Sequence, residues 1–268
     1  RKTGAVESIT TDFDPSVGDE TVWNRSDGNI YFLATKGFGN RVFRYSPSNK
    51  KFTELPLGIE NISTFSMGKD GTRLAYRGMS RDHSGGARVY NIRTGKDISA
   101  ADPYADHLAG IELADFQQWN FTASDGTEIE GYCVLPPGFD PEKKYPIISV
   151  VYPGPYFGFV PTNFTLDDSY CTRMAQLGFI VITVGHRGDT PMRGKAYHRY
   201  GYGNMRDYPL ADDKYAIEQL AQRHSFIDGK KVGIYGHSGG GFMAAAAICT
   251  YPDFYTAAVS CSGNHDNS

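Results

Sequence analysis

The hydrophobic pattern of this chain changes period near residue 100, and that change constrains the fold more than any single motif. From about Thr21 to Ala100 the chain reads as short strands separated by Asp-Gly, Ser-Gly, Pro-Ser-Asn and Thr-Gly turns, the signals of antiparallel hairpins. Asp27-Gly28 is followed by Ile30-Tyr31-Phe32, and 43 residues later Asp70-Gly71 is followed by Leu74-Ala75-Tyr76. Each copy then adds a second strand and turn: Arg41 to Tyr45 with Pro47-Ser48-Asn49, and Ala87 to Ile92 with Arg93-Thr94-Gly95. A repeat of short strands at that length is the spacing of β-propeller blades, with a plain meander sheet as the alternative. Two blades alone would leave edge strands unpaired, so this stretch is expected to be the end of a longer array.

The repeat stops between Ala101 and Asp115, around Asp102-Pro103. The expected domains are residues 1–110, the C-terminal blades of a propeller, and residues 111–268, an α/β-hydrolase segment that runs just past its nucleophile. A hairpin is predicted at Gln117 to Ser124 and Glu128 to Leu135, turning at Asp125-Gly126. The pattern then becomes α/β. Buried strands are predicted at Ile147 to Tyr152 and Phe179 to Val184 and further strands at Lys231 to Tyr235 and Tyr255 to Cys261, with helices over Asp167 to Leu177, Tyr208 to Arg223 and Gly239 to Cys249. Such alternation implies a mostly parallel sheet with helices on both faces.

Composition narrows the function classes. The net charge is −3 with acids and bases interleaved, which argues against a nucleic-acid partner. No apolar run reaches the length of a membrane span, and the first residues lack the apolar core of a signal peptide, so localisation is not legible from the residues. Cys133, Cys171, Cys249 and Cys261 lie far apart without a C-x-x-C pair, the pattern of ordinary thiols; no metal site and no cofactor are expected.

The chemistry is carried by Gly236-His237-Ser238-Gly239-Gly240, which follows the strand Val232 to Tyr235 and opens the Ala-rich helix. A nucleophilic serine needs a sharp strand-to-helix turn with small flanking residues, and this G-x-S-x-G has both the strand and the helix. Ser238 is the expected nucleophile and the Gly239 N–H the first oxyanion donor. The second donor belongs on the loop after Ile147 to Val151, where prolines at 153 and 155 have no N–H to give. On spacing alone Tyr152 is either a side-chain donor or a packed core aromatic. His237 cannot readily serve as base to its neighbour and suits packing or substrate contact; Ser262 and Asn264, after the last strand, join it as substrate-binding candidates. His186 either borders the site or bonds to backbone. The acid and base of such a triad follow the serine on later loops, and Asp253, His265 and Asp266 come too early, so both are expected beyond residue 268 and the chain alone is expected to be inactive. The strand at Tyr255 to Cys261 would then be an exposed apolar edge, a predicted cause of self-association.

Together, the blade-like repeat, Tyr152-Pro153-Gly154-Pro155, Arg187-Gly188 with Gly194, the helix bearing Asp212-Asp213, and Gly236 to Gly241 resemble the prolyl oligopeptidase family of serine peptidases, in its dipeptidyl peptidase IV-like branch. The resemblance implies a Tyr152 hydroxyl in the oxyanion hole and a peptide substrate shortened by dipeptides from its N-terminus after Pro or Ala. It also implies a periplasmic or secreted setting and leaves room for a homodimer. Two departures stand out. Gly239 occupies the position where the family commonly has a tyrosine shaping the proline pocket, and the paired glutamates that hold the substrate amine belong to earlier blades. The rival readings are an esterase or acyl hydrolase on the same fold, and a non-catalytic binding module.

Overall fold

The computed structural model describes residues 4, 6–37, 39–80, 83–101, 114–153, 171–189, 193, 195–204 and 207–266. The chain forms two compact units, the first carrying the early strands and the second the α/β part.

In the first unit β1 (Ser16–Trp23), β2 (Ile30–Lys36), β3 (Gly39–Ser46) and β4 (Lys51–Glu54) form one antiparallel meander. A second is formed by β5 (Asn61–Met67), β6 (Arg73–Ser80), β7 (His83–Asn91) and β8 (Asp97–Ala101). The repeat in the sequence is thus a repeat of four-stranded sheets. Gly28 and Gly71 take φ of 73° and 67° at equivalent turns, the left-handed conformation that glycine adopts without penalty. β2 is apolar on both faces for a reason visible in its packing. Tyr31 and Leu33 join Leu74, Tyr76 and Tyr90 in a core shared by the two sheets. Phe32 and Ala34 point the other way, where Phe13 stacks on Phe52 at 4.4 Å and meets Phe43 edge-on at 5.0 Å. Polar ties also join the sheets: Glu20 accepts the Phe65 N–H at 3.0 Å, and Asn24 donates to the Gly71 carbonyl at 2.9 Å.

The second unit is a six-stranded sheet of β9 (Asp115–Thr122), β10 (Glu128–Leu135), β11 (Tyr145–Val151), β12 (Ile180–Val184), β13 (Ile227–His237) and β14 (Ala257–Cys261), ordered β14-β13-β11-β12-β10-β9. The sheet is mixed: β9 and β10 run antiparallel to their neighbours, while β12, β11, β13 and β14 are mutually parallel. Its helices are α1 (Cys171–Gln176), α2 (Lys195–Arg199), α3 (Asp207–Arg223) and α4 (Gly239–Thr250). Part of the helix predicted over Asp167 to Leu177, with Gly154, Pro155 and Gly194, lies outside the described residues, and α2 had no periodic signal. Alternation along β11 sends Ile147 and Val151 toward Leu210 and Ile217 of α3 and Met243 of α4. It sends Val150 toward Cys171 and Ala175 of α1. Both faces are therefore covered by helices. Strand β14 is an edge of this sheet, with Val259 51 % exposed. All four cysteines are free thiols.

Candidate active site

The strand β13 ends at His237 and α4 begins at Gly239, so Ser238 alone makes the turn between them. Reversal in so short a space forces Ser238 to φ 57° and ψ −119°, a conformation that costs a non-glycine residue about 1–3 kcal/mol and is concentrated at functional sites. Two backbone bonds hold it there. The Ser238 N–H donates to the Cys261 carbonyl at the end of β14 at 2.8 Å, and its own carbonyl accepts the Phe242 N–H at 3.1 Å as the first bond of the helix.

Space dictates the flanking glycines. A Cβ on Gly236 would lie 2.1 Å from the Gly240 carbonyl oxygen, one on Gly240 would lie 2.1 Å from that of Val151, and one on Gly241 would lie 2.5 Å from that of Cys261. Those atoms are backbone, so a side chain at any of the three positions requires the turn itself to open. Gly239 is less confined. Its Cβ position is 3.2 Å from the Pro153 carbonyl oxygen and 3.6 Å from Cζ of Tyr152, which places the tyrosine ring directly beside it. The cause is strand register: Val151 pairs with Gly236 across β11 and β13, so Tyr152 emerges level with the turn. Ser238, Gly239 and Tyr152 are thereby brought together, the serine and the tyrosine both half-buried.

The other predicted residues gather along the same end of the sheet. His237 is exposed and pairs with Cys261 across β13 and β14. Ser262 follows at φ 51°, a second strained serine one residue beyond the ladder, and Asn264 is exposed further along that loop. His265 comes within 3.4 Å of the Ser260 hydroxyl, which itself donates to the Gly241 carbonyl at 2.8 Å. His186 is neither at a border nor bonded to backbone through its ring. It is 1 % exposed, with Nε2 3.6 Å from Oδ1 of Asp213, because the turn after β12 folds inward beneath α3.

Arg187 and Asp212-Asp213, which the sequence marked only as carriers of the resemblance, form two charge clusters whose contacts were not foreseen. Arg187 presents Nε and Nη2 to the Asp212 carboxylate at 3.0 and 2.6 Å and Nη1 to Asp125 at 2.5 Å, while its guanidinium lies 3.9 Å from the centre of the Tyr200 ring. Burial by itself would lower the arginine pKa, but the bonds to Asp212 outweigh it and leave the group firmly charged. Next along α3, Asp213 holds the Ser149 and Tyr255 hydroxyls. One signal was present: Asp213 falls on the same helical stripe as Leu210, Ile217 and Leu220, where an acid is out of place unless partnered.

A strained serine at a strand-to-helix turn, beside a helix N-terminal N–H and a tyrosine ring, has the parts of an acyl-transfer centre. Comparisons with known proteins find similar chains. Dipeptidyl-peptidase 5 of Porphyromonas gingivalis is 30% identical over 256 residues, 90% of this chain and 34% of that protein. The crystal structure of Porphyromonas gingivalis dipeptidyl peptidase 4 superposes with a TM-score of 0.74 at 19% identity, over 93% of this chain and 35% of the other. Pyrococcus horikoshii acylaminoacyl peptidase superposes with a TM-score of 0.75 at 21% identity, over 97% and 39%. The chain spans about a sixth to a third of the length of the curated relatives it matches. Residues 165–268 match the model of the prolyl oligopeptidase family. That match takes in α3, β13, the serine turn and α4, and it makes this stretch of the chain a segment of the prolyl oligopeptidase family.

Proposed function

We propose that the chain is a segment of a dipeptidyl peptidase-like serine peptidase, comprising two propeller blades and the part of the hydrolase domain that supplies nucleophile and oxyanion site. Ser238 attacks the peptide carbonyl. The Gly239 N–H and the Tyr152 hydroxyl hold the oxygen as it gains charge, and a histidine base takes the serine proton and passes it to the leaving amine. The reading rests above all on the backbone of Ser238: a non-glycine residue is held in a strained conformation by three close-packed glycines, with a helix N-terminus after it and the Tyr152 ring beside Gly239. A binding module has no use for that strain.

Dipeptide removal from a free N-terminus is the finer part of the proposal, supported by the names of the relatives, and the preference for Pro or Ala rests on the family resemblance alone. His237, Ser262 and Asn264 are proposed to line the substrate path, since they share the sheet end with Ser238. A panel of dipeptide anilides and short acyl esters, given to the full-length protein that contains this chain, tests it. Anilides with Pro or Ala next to the scissile bond are expected to be the better substrates by kcat/KM. Preference for acyl esters, with anilides uncleaved, would replace the peptidase by an esterase.

A further inference from the structure

Three buried polar side chains meet beneath the nucleophile strand, with the His186 ring 3.6 Å from the same carboxylate, and the chemistry proposed for Ser238 leaves them without a task. Asp213 accepts the Ser149 hydroxyl through Oδ1 at 2.5 Å and the Tyr255 hydroxyl through Oδ2 at 3.0 Å. None of the three is more than 1 % exposed. Their neighbours in this layer, Ile147, Val151, Val232 and Ile234, are aliphatic. A carboxylate set among them carries a desolvation cost that apolar side chains avoid. What it supplies in return is direction, because hydrogen bonds fix position where aliphatic packing tolerates small slips.

The two hydroxyls sit on either side of β13. Ser149 belongs to β11, and Tyr255 lies two residues before β14; in the sheet β13 runs between those strands. One carboxylate therefore fastens both neighbours of the nucleophile strand to a single point on α3. Each neighbour goes on to touch the site. Tyr152 is three residues beyond Ser149, and β14 ends at Cys261, whose carbonyl holds the Ser238 N–H. We propose that Asp213 is a positioning residue for the oxyanion site, setting the placement of the Tyr152 hydroxyl against Ser238 through Ser149 and Tyr255. The inference rests on the oxyanion role proposed above for Tyr152.

A double-mutant cycle in the full-length protein tests it, read as kcat and KM on a dipeptide anilide and as the rate at which a fluorophosphonate labels Ser238. Tyr152→Phe is expected to lower kcat by about a hundredfold, the usual loss for one oxyanion donor. Asp213→Asn is expected to lower kcat by about tenfold or more with KM within about twofold, since displaced catalytic groups affect the transition state more than binding. In the Tyr152→Phe background the same change should cost less than about twofold, because the hydroxyl it places is gone. Ser149→Ala removes a single bond of the cluster and answers the question where Asp213→Asn fails to fold; it should show the same non-additivity. Equal losses in both backgrounds, or full activity of Asp213→Asn and Ser149→Ala beside an impaired Tyr152→Phe, would overturn the positioning role and leave the oxyanion reading standing. Full activity of Tyr152→Phe would overturn the oxyanion reading, and the positioning role with it.

Discussion

Tyrosine–carboxylate pairs occur in both units of the chain, and they serve different ends. In the first unit Tyr31 donates to Asp27 at 2.7 Å and Tyr76 to Asp97 at 2.5 Å. Asp27 also caps its own turn, accepting the Asn29 N–H at 2.9 Å, and Asp97 also takes the Gly58 N–H at 2.8 Å and the Arg88 guanidinium at 3.3 Å. Burial first, and then the bond to the carboxylate, pushes both phenols up to about 12. The Tyr31–Asp27 pair reinforces a hairpin that its Asp-Gly turn already favours, while Tyr76–Asp97 ties β6 to β8 across β7 within one meander. In the second unit Tyr255 and Asp213 are 42 residues apart and fully buried, and burial with the neighbouring carboxylate raises the phenol well above its ordinary value. The same chemistry at a turn confirms a local preference; in a core it joins elements that no local preference brings together.

If that contrast is right, the cost of removing a partner should track burial rather than bond count. The largest effect is expected from Arg187→Met, which leaves Asp212 buried beside a neutral side chain. Chemical denaturation should show a loss of about 3–5 kcal/mol, as for other broken buried ion pairs. A loss below about 1 kcal/mol, the range of exposed pairs, would mean that Asp212 is solvated and the contrast false.

Tyr255→Phe comes next. It strands one oxygen of Asp213 in the core and should cost about 1–3 kcal/mol, the penalty of a buried acceptor left unpaired. Tyr31→Phe leaves Asp27 exposed to water and should cost only about 0.5–1.5 kcal/mol at neutral pH. The reverse order of the two tyrosines, measured by the same denaturant titration, would break the comparison.

The smallest effect is one of pH. Burial alone would raise the Asp27 pKa, but bonds from the Asn29 N–H and the Tyr31 hydroxyl outweigh it and hold the group below its ordinary 3.8. A carboxyl with a depressed folded pKa contributes stability that is present above its unfolded value and lost as pH falls through the folded one. The difference between wild type and Tyr31→Phe should therefore shrink below pH 3.8. A difference unchanged in acid would show that Asp27 is not the partner that matters.

What could be read in the sequence follows the same division. Ser238 and its glycines were legible because the constraint is local: a strand, a reversal and a helix within a few residues leave room for nothing larger at 236, 240 and 241. Tyr152 was half legible, since a strand end predicts its level but not its neighbour; the register with β13 supplied the rest. The repeat of Asp-Gly turns announced two equivalent sheets because each turn needs a left-handed glycine. Asp213 was marked by the resemblance and interrupts an apolar stripe, but its partners were not read, because Ser149 and Tyr255 lie 64 and 42 residues away and only the strand order brings them to it. His186 was read as a site-border or backbone-bonded loop residue and is neither, because nothing in a loop's composition says that it turns inward.

The central claim is that Ser238 is a nucleophile. Labelling with a fluorophosphonate probe tests it most directly, on the 268-residue chain and on the full-length protein, each beside its Ser238→Ala variant. Strong labelling of the full-length protein that Ser238→Ala abolishes, with little on the chain alone, is the predicted result. Labelling that survives Ser238→Ala, or its absence from the full-length protein, would contradict the assignment.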